Sequence, residues 1–271
     1  MCKYNLLNER VQELSELASY YADLCCPAPS PVFPEVIAKE LGLSFTLNDY
    51  GYVFDGCIEQ QNGRFHIFLH AREGEHLMIP RIRFSFAHEL GHYIIDEHRQ
   101  ALLKPGMPSH GSFAAFDSPL ETEREADLFA ACLLMPEERI RKDIFRKKFH
   151  FSLIDELSRR YQVSATAVIL RFIALGNHPL MVVCSQNNKL KWLRFSHDFP
   201  FPWINLGPAN TIPELTCAVE YFNDKTKYNT SETVFAGDWF RITYPSDRRR
   251  HFNEYCIYQE SMNQVLSVIW E

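Results

Sequence analysis

The spacing of apolar residues predicts a series of helices before residue 176. In these segments apolar residues recur every three or four positions, which is typical of a helix with one buried face. The segments are 8–24, 34–41, 83–93, 121–135, 151–161 and 165–172. Several of them are followed by a residue that ends helices, at Pro27, Gly42 and Pro136.

Shorter apolar and β-branched runs predict strands. Residues 52–58 and 65–69 flank Asn62-Gly63, a dipeptide typical of a two-residue hairpin turn. After residue 179 the chain changes to aromatic and β-branched runs, which predict a separate α+β or β-rich domain. The strands predicted there are 180–184, 190–195, 216–222, 233–244, 255–258 and 265–270.

Composition narrows the class of protein. With 271 residues, 46% of them hydrophobic, the chain is long enough for two domains of an ordinary globular protein. Its net charge of −6 argues against nucleic-acid binding over the whole surface. No apolar run approaches the ~20 residues that span a bilayer, and the N-terminus has no apolar export segment, so we expect a cytoplasmic location without membrane contact. In that location the eight cysteines are expected to be reduced thiols.

The segment His88-Glu89-Leu90-Gly91-His92 matches the pattern H-E-x-x-H. On a helix, His88 and His92 lie one turn apart on the same face and can bind one zinc ion. Glu89 can then act as the general base without binding the metal. The alternative is a core helix that matches by chance. Gly91 inside a helix indicates that substrate or a neighbouring strand approaches closely.

A third ligand is available on the helix that begins at residue 121. Glu123 can complete a His/His/Glu set that leaves one position open, and Asp127, one turn later, can accept a hydrogen bond from a ligand histidine. The alternative for Glu121, Glu123 and Glu125 is an exposed acidic first turn that favours the helix dipole. We prefer that alternative for Glu121 and Glu125, and ligation for Glu123.

The sequences RFSFAHELGHYI (83–94) and EREADLFAACLLMP (123–136) together resemble the ImmA/IrrE-type metallopeptidases. The resemblance implies a zincin-like fold, Zn2+ as the cofactor, His88, His92 and Glu123 as its ligands, and Glu89 as the catalytic base. It implies a protein substrate, a helix-turn-helix transcriptional repressor cut in a stress or mobile-element response. By analogy with zinc peptidases, residues 65–69 are a candidate edge strand for holding substrate, or else an ordinary core strand.

The loop predicted at 98–119 is long enough to form a lid or a wall of the cleft. Within and beside it, His110 and Tyr93 are candidate donors to the oxyanion of the reaction, and each also has a purely structural interpretation.

Residues 151–172 follow a basic stretch and form a helix-turn-helix pattern, with Ser164 as the predicted N-cap of the second helix. DNA binding is one hypothesis for it, and a helical hairpin packed on the peptidase is the one we favour, because no side chain early in the second helix is suited to reading bases. The alternative function is a DNA-binding transcriptional regulator with a structural zinc site.

The predicted fold is therefore α+β. It comprises a zincin-like metallopeptidase domain with the H-E-x-x-H helix and a small sheet (1–137), a helix-turn-helix-like segment (138–176), and a C-terminal α+β domain (177–271). A weaker resemblance suggests that the last of these is sensor-like, of GAF-like type.

Overall fold

The structure is a computed structural model, and it describes residues 8–51, 53–104, 110–112, 120–176 and 178–271. The chain forms two compact units, the first of Met1–Lys148 with Asp155–Ala167 and the second of Phe149–Ile154 with Val168–Glu271. Helices and two sheets are combined in it, so the predicted α+β class is confirmed. The finer division at residues 137 and 176 stays a prediction. Across the described part of the chain, no helix is both long and apolar enough to cross a membrane.

The first unit packs helices on a small sheet. Its helices are α1 (Asn8–Cys25), α2 (Pro34–Glu40), α3 (Pro80–Ile94), α4 (Asp96–Leu102), α5 (Glu121–Leu134) and α6 (Glu137–Ile144). Its strands are β1 (Ser44–Asn48), β2 (Gly56–Gln61), β3 (Arg64–His70) and β4 (His110–Ser112). The strand order is β1-β3-β2-β4, with β1 parallel to β3 and the other pairs antiparallel.

The β2–β3 hairpin forms as predicted. Asn62 and Gly63 have φ values of 52° and 77°, and Gln61 pairs with Arg64 across the turn. Two consecutive positive φ values are typical of the type I′ turn, whose twist matches that of the strands. The interpretation of 65–69 as an edge strand is wrong, because β3 lies between β1 and β2 in this sheet.

Two local predictions around α3 are also wrong. The helix begins at Pro80 rather than at residue 83, with Pro80 in its first turn, where its fixed φ suits a helix start. The predicted loop after it begins with a helix, α4, which has Asp96 in its first turn and Arg99 in its last, as the helix dipole favours. Phe113 and Phe116 of that loop lie outside the described residues.

The helix-turn-helix pattern is present as two helices, α7 (Phe151–Tyr161) and α8 (Ala165–Leu175). Ser164 caps α8 as predicted, since its Oγ accepts a hydrogen bond from the backbone N–H of Ala167 at 3.1 Å. Between the helices, Gln162 takes a left-handed conformation with a φ of 54°.

An antiparallel sheet forms the centre of the second unit. Its elements after α8 are β5 (Leu180–Gln186), β6 (Lys189–Phe195), α9 (Cys217–Asp224), β7 (Glu232–Phe235), α10 (Ala236–Trp239), β8 (His251–Gln259) and β9 (Gln264–Trp270). The strand order is β6-β5-β9-β8-β7. Trp239 and Phe240 are buried in its core, whereas Trp203 is largely exposed.

The strand predicted at 216–222 is wrong, because these residues form α9. Thr216 caps the helix through a hydrogen bond from the Val219 N–H to its Oγ1, and Lys225 ends it with a φ of 64°. The strand predicted at 233–244 is correct only at its start, since β7 ends at Phe235 and α10 follows directly.

Candidate metal centre

The centre is built where α3 packs against α5. Gly91 makes the close packing possible, because a Cβ atom at this position would lie 3.2 Å from Cδ1 of Phe129 and 3.3 Å from Cα of Ala126. The sequence indicated a close approach at Gly91 but assigned it to substrate or a strand. The element that approaches is the helix α5.

His88 and His92 on α3 and Glu123 on α5 bring three ligand atoms together, and they could hold a metal ion. The two Nε2 atoms are 3.1 Å apart. Oε2 of Glu123 lies 3.3 Å from Nε2 of His88, and its Oε1 lies 3.2 Å from Nε2 of His92. The described residues contain no other such group of three or more potential ligands.

These distances fit a tetrahedral metal ion. Ligand atoms about 2.0 Å from a zinc ion at tetrahedral angles are roughly 3.3 Å from one another. Both histidines are only 3% exposed. Without a metal ion, their Nε2 atoms would face each other and the Glu123 carboxylate with little access to water. Two imidazole nitrogens and one carboxylate form a donor set typical of catalytic zinc, with a fourth position open.

Asp127 fixes the orientation of His88, as predicted for a residue one turn after Glu123. Its Oδ1 lies 2.9 Å from Nδ1 of His88. A proton on Nδ1 is donated to the carboxylate, and the lone pair of Nε2 is then directed to the cluster.

The protonation of His88 depends on opposing effects. Burial disfavours the charged imidazolium, but hydrogen bonds to Asp127 and Glu123 outweigh it and raise the pKa of His88 to about 10. A metal ion at this cluster would therefore compete with a proton for His88.

Glu89 is fully buried and lies outside the ligand cluster, on the side of α3 that faces β2 and β4. The hydroxyl of Ser112, in β4, donates a hydrogen bond to Oε1 of Glu89. Gly56, in β2, leaves room for the carboxylate. Burial and the charge of Glu89 raise the pKa of the neighbouring Cys57 thiol to about 12, so this thiol is protonated at neutral pH.

A second layer of polar side chains was missed by the sequence analysis. Glu125, interpreted as exposed, is buried, and its carboxylate receives a hydrogen bond from Nε2 of His98 at 2.8 Å. Arg10 of α1 holds the same carboxylate at 2.8 and 3.0 Å. Glu121, by contrast, is exposed as expected.

This layer lies beside the ligands, since the rings of His98 and His92 are 5.1 Å apart. Burial would raise the pKa of Glu125, but Arg10 and His98 outweigh it and lower the pKa. Burial lowers the pKa of His98, which favours its neutral form. No local sequence pattern connects these residues, because they come from α1, α4 and α5.

Among the contacts of the described residues, none places Tyr93 at the centre. The ring of Tyr93 packs against Phe65, with ring centres 5.1 Å apart, and under the guanidinium of Arg99. The backbone of His110 pairs with Ile58, while its side chain lies outside the described part of the structure. Both assignments stay predictions.

Comparisons with known proteins agree with the motifs. Residues 65–172 match the sequence model of a peptidase family described as the IrrE N-terminal-like domain. This segment contains the three potential ligands together with Glu89 and Asp127. No curated protein sequence matches the chain significantly.

A solved structure described as a Mycobacterium tuberculosis transcriptional regulator is similar in fold, with a TM-score of 0.61 over 98% of this chain and 78% of the other. The two sequences are 12% identical, so the likeness concerns fold alone. The family match confirms the resemblance inferred from the motifs and the zincin-like fold that it implied. Residues 65–172 of this chain are therefore similar in sequence to the family of IrrE N-terminal-like domains.

Proposed function

We propose that this protein is a zinc-dependent endopeptidase. The observation that carries the proposal is the convergence of His88, His92 and Glu123, with a buried carboxylate, Glu89, next to a ligand but outside the cluster. A purely structural zinc site has four protein ligands and needs no such carboxylate. The family match supports a metallopeptidase-like role for the same residues.

In the proposed reaction the zinc ion and the side chains of the protein have different roles. Zinc held by the three ligands would act as a Lewis acid on a peptide carbonyl and make water acidic enough to lose a proton near neutral pH. Glu89 accepts the proton from the attacking water and returns it to the leaving amine. Asp127 keeps His88 in the tautomer that leaves Nε2 for the metal.

The substrate we propose is a helix-turn-helix transcriptional repressor, which is what the family resemblance implies. Cleavage would take place in the cytoplasm during a stress or mobile-element response.

The test is cleavage of the repressors encoded beside this gene. Wild type and Glu89→Gln are each co-expressed with those repressors, the products are identified by intact mass, and zinc per chain is measured. We expect a single-site cut with wild type only, and about one zinc in both proteins, because Gln cannot accept the proton. An uncut repressor beside zinc-loaded wild type would contradict the proposal.

The second candidate is a DNA-binding regulator with structural zinc, favoured by the similar solved structure, which is described as a transcriptional regulator. The helix that would read bases does not suit this role. The charged residue of α8, Arg171, is 5% exposed, and the helix begins Ala-Thr-Ala. In the basic stretch that precedes α7, the guanidinium of Arg139 is held by Asp23 and by backbone carbonyls. DNA binding that persists in Glu89→Gln, without any cleavage by wild type, would favour this candidate.

A further inference from the structure

The carboxylate of Glu89, the proposed general base, lies against one face of the strands β2 and β4. On the face of β2 and β4 that Glu89 reaches, Gly56 and Ser112 are directly paired across the two strands. Side chains of such a pair lie next to each other on one face of a sheet. Here one partner has no side chain, and the other has a hydroxyl.

Gly56 supplies the space for the carboxylate. A Cβ atom at position 56 would lie 2.8 Å from Oε1 of Glu89 and 3.0 Å from its Cγ. The φ of Gly56 does not require glycine, so the contact with Glu89 is what excludes a side chain here.

Ser112 supplies the hydrogen bond. Its hydroxyl is buried at 5% exposure and donates to Oε1 of Glu89. The backbone of Ser112 is fixed as well, since its carbonyl accepts a hydrogen bond from the N–H of Asp55 at 2.9 Å. The hydroxyl is therefore presented to the carboxylate by a strand, a rigid element of the fold.

We propose that Ser112 and Gly56 are positioning residues for the catalytic base. Gly56 admits the Glu89 carboxylate to the β2–β4 face, and Ser112 holds its Oε1. This inference rests on the proposed peptidase function, and it assigns to the strand β4 a side-chain role in addition to its place in the sheet.

The kinetic test compares Ser112→Ala, Ser112→Thr and Ser85→Ala. Ser85 is the matched control: it is also buried, it lies on α3 one turn before Glu89, and its hydroxyl has no hydrogen-bond partner in the part of the chain that the structure describes. We expect Ser112→Ala to lower kcat about 10- to 100-fold, as loss of an orienting group does, with KM and zinc affinity unchanged.

Ser112→Thr keeps the hydroxyl and should retain more kcat than Ser112→Ala, whereas Ser85→Ala should match wild type. A kcat of Ser112→Ala equal to that of wild type would overturn the inference. So would a parallel loss of zinc affinity, because the residue would then support the ligands rather than the base.

A second test does not depend on activity. In the metal-free protein, the thermal unfolding midpoint is measured for Ser112→Ala and Gly56→Ala, each in the wild-type and Glu89→Ala backgrounds. We expect both substitutions to lower the midpoint by about 3 °C or more when Glu89 is present. Both should have a much smaller effect when its side chain is removed.

Equal shifts in the two backgrounds would show that neither residue contacts Glu89, and the inference would fail. The two proposals remain distinguishable. An inactive wild type with coupled unfolding midpoints contradicts the peptidase and leaves the pocket for Glu89 supported. An active wild type in which each substitution shifts the midpoint equally in both backgrounds supports the peptidase and contradicts the pocket for Glu89.

Discussion

At the scale of single residues, the candidate metal centre depends on a carboxylate outside the set of three potential ligands. Asp127 contacts Nδ1 of His88 at 2.9 Å, and its negative charge makes the imidazole a stronger donor at Nε2. The same contact holds the ring in the plane that directs Nε2 to Glu123 and His92. Metal affinity should therefore respond to the charge of residue 127 and not only to its shape.

We predict that Asp127→Asn weakens zinc binding about 10- to 100-fold, because Asn has the shape of Asp without its charge. Competition with a chromophoric chelator measures the affinity. Glu121→Gln is the control, an exposed acid neutralised on the same helix, and it should bind zinc as wild type does. Equal affinities of Asp127→Asn and wild type would show that His88 does not need this partner.

The residues that the sequence alone could identify are those related by helical periodicity. His88 and His92 are four positions apart on one helix, and so are Glu123 and Asp127, so local geometry places each pair on one face. Ser112 and Gly56 could not be found in this way, because their relation to Glu89 depends on how two strands pack against a helix. Long-range packing of this kind leaves no spacing in the sequence.

At the scale of elements, the separation of α3 and α5 sets the geometry of the potential ligands. Two of them come from α3 and the third from α5, and the helices touch at Gly91, one residue before His92. Alanine is intrinsically favoured over glycine in a helix by about 1 kcal/mol. The packing opposes this preference, since Cα of Ala126 belongs to the backbone of α5 and cannot move alone.

We predict that Gly91→Ala lowers zinc affinity at least about tenfold, because overpacking that costs roughly 1–3 kcal/mol would push α5 outward and carry Glu123 with it. Titration with the same chelator measures the loss. The double variant Gly91→Ala/Phe129→Leu removes the ring that the new methyl group meets at 3.2 Å and should recover part of the affinity. Unchanged affinity in Gly91→Ala would show that α5 tolerates the displacement.

Helices and strands were predicted well where a local sequence signal determined the structure, and poorly where packing against other elements determined it. Asn62-Gly63 requires two positive φ values that few other residues adopt, so the hairpin followed from the sequence. Residues 217–224 have the β-branched and aromatic composition of a strand, yet the cap at Thr216 and burial of one face make them helical. The order of strands in the first sheet, which makes β3 internal, has no local signal at all.

At the scale of the whole molecule, each compact unit contains a buried carboxylate network. In the second unit, Glu254 is 1% exposed and lies among donors from three other elements. Its Oε2 accepts hydrogen bonds from Nε1 of Trp239 at 2.9 Å and from the N–H of Cys217 at 3.2 Å. Its Oε1 accepts from Oγ of Ser267 at 2.7 Å. One carboxylate thus joins α9, α10 and β9 to β8.

We predict that Glu254→Gln destabilises the second unit by about 1–3 kcal/mol, because an amide offers one acceptor oxygen and turns its NH2 group toward a neighbouring donor. Urea unfolding followed by tryptophan fluorescence reports on this unit, since Trp239 contacts the substituted group. The partly exposed Glu232 of β7 supplies the control, Glu232→Gln, with wild-type stability expected.

Zinc stoichiometry separates the consequences for the two units. His88, His92 and Glu123 all belong to the first unit, so Glu254→Gln should still bind about one zinc per chain in the absence of urea. A variant as stable as wild type would show that the donors around Glu254 find other partners. If Glu254→Gln keeps its secondary structure but loses zinc, the metal centre requires an intact second unit. A protein that lacks the second unit would then not be expected to cleave its substrate.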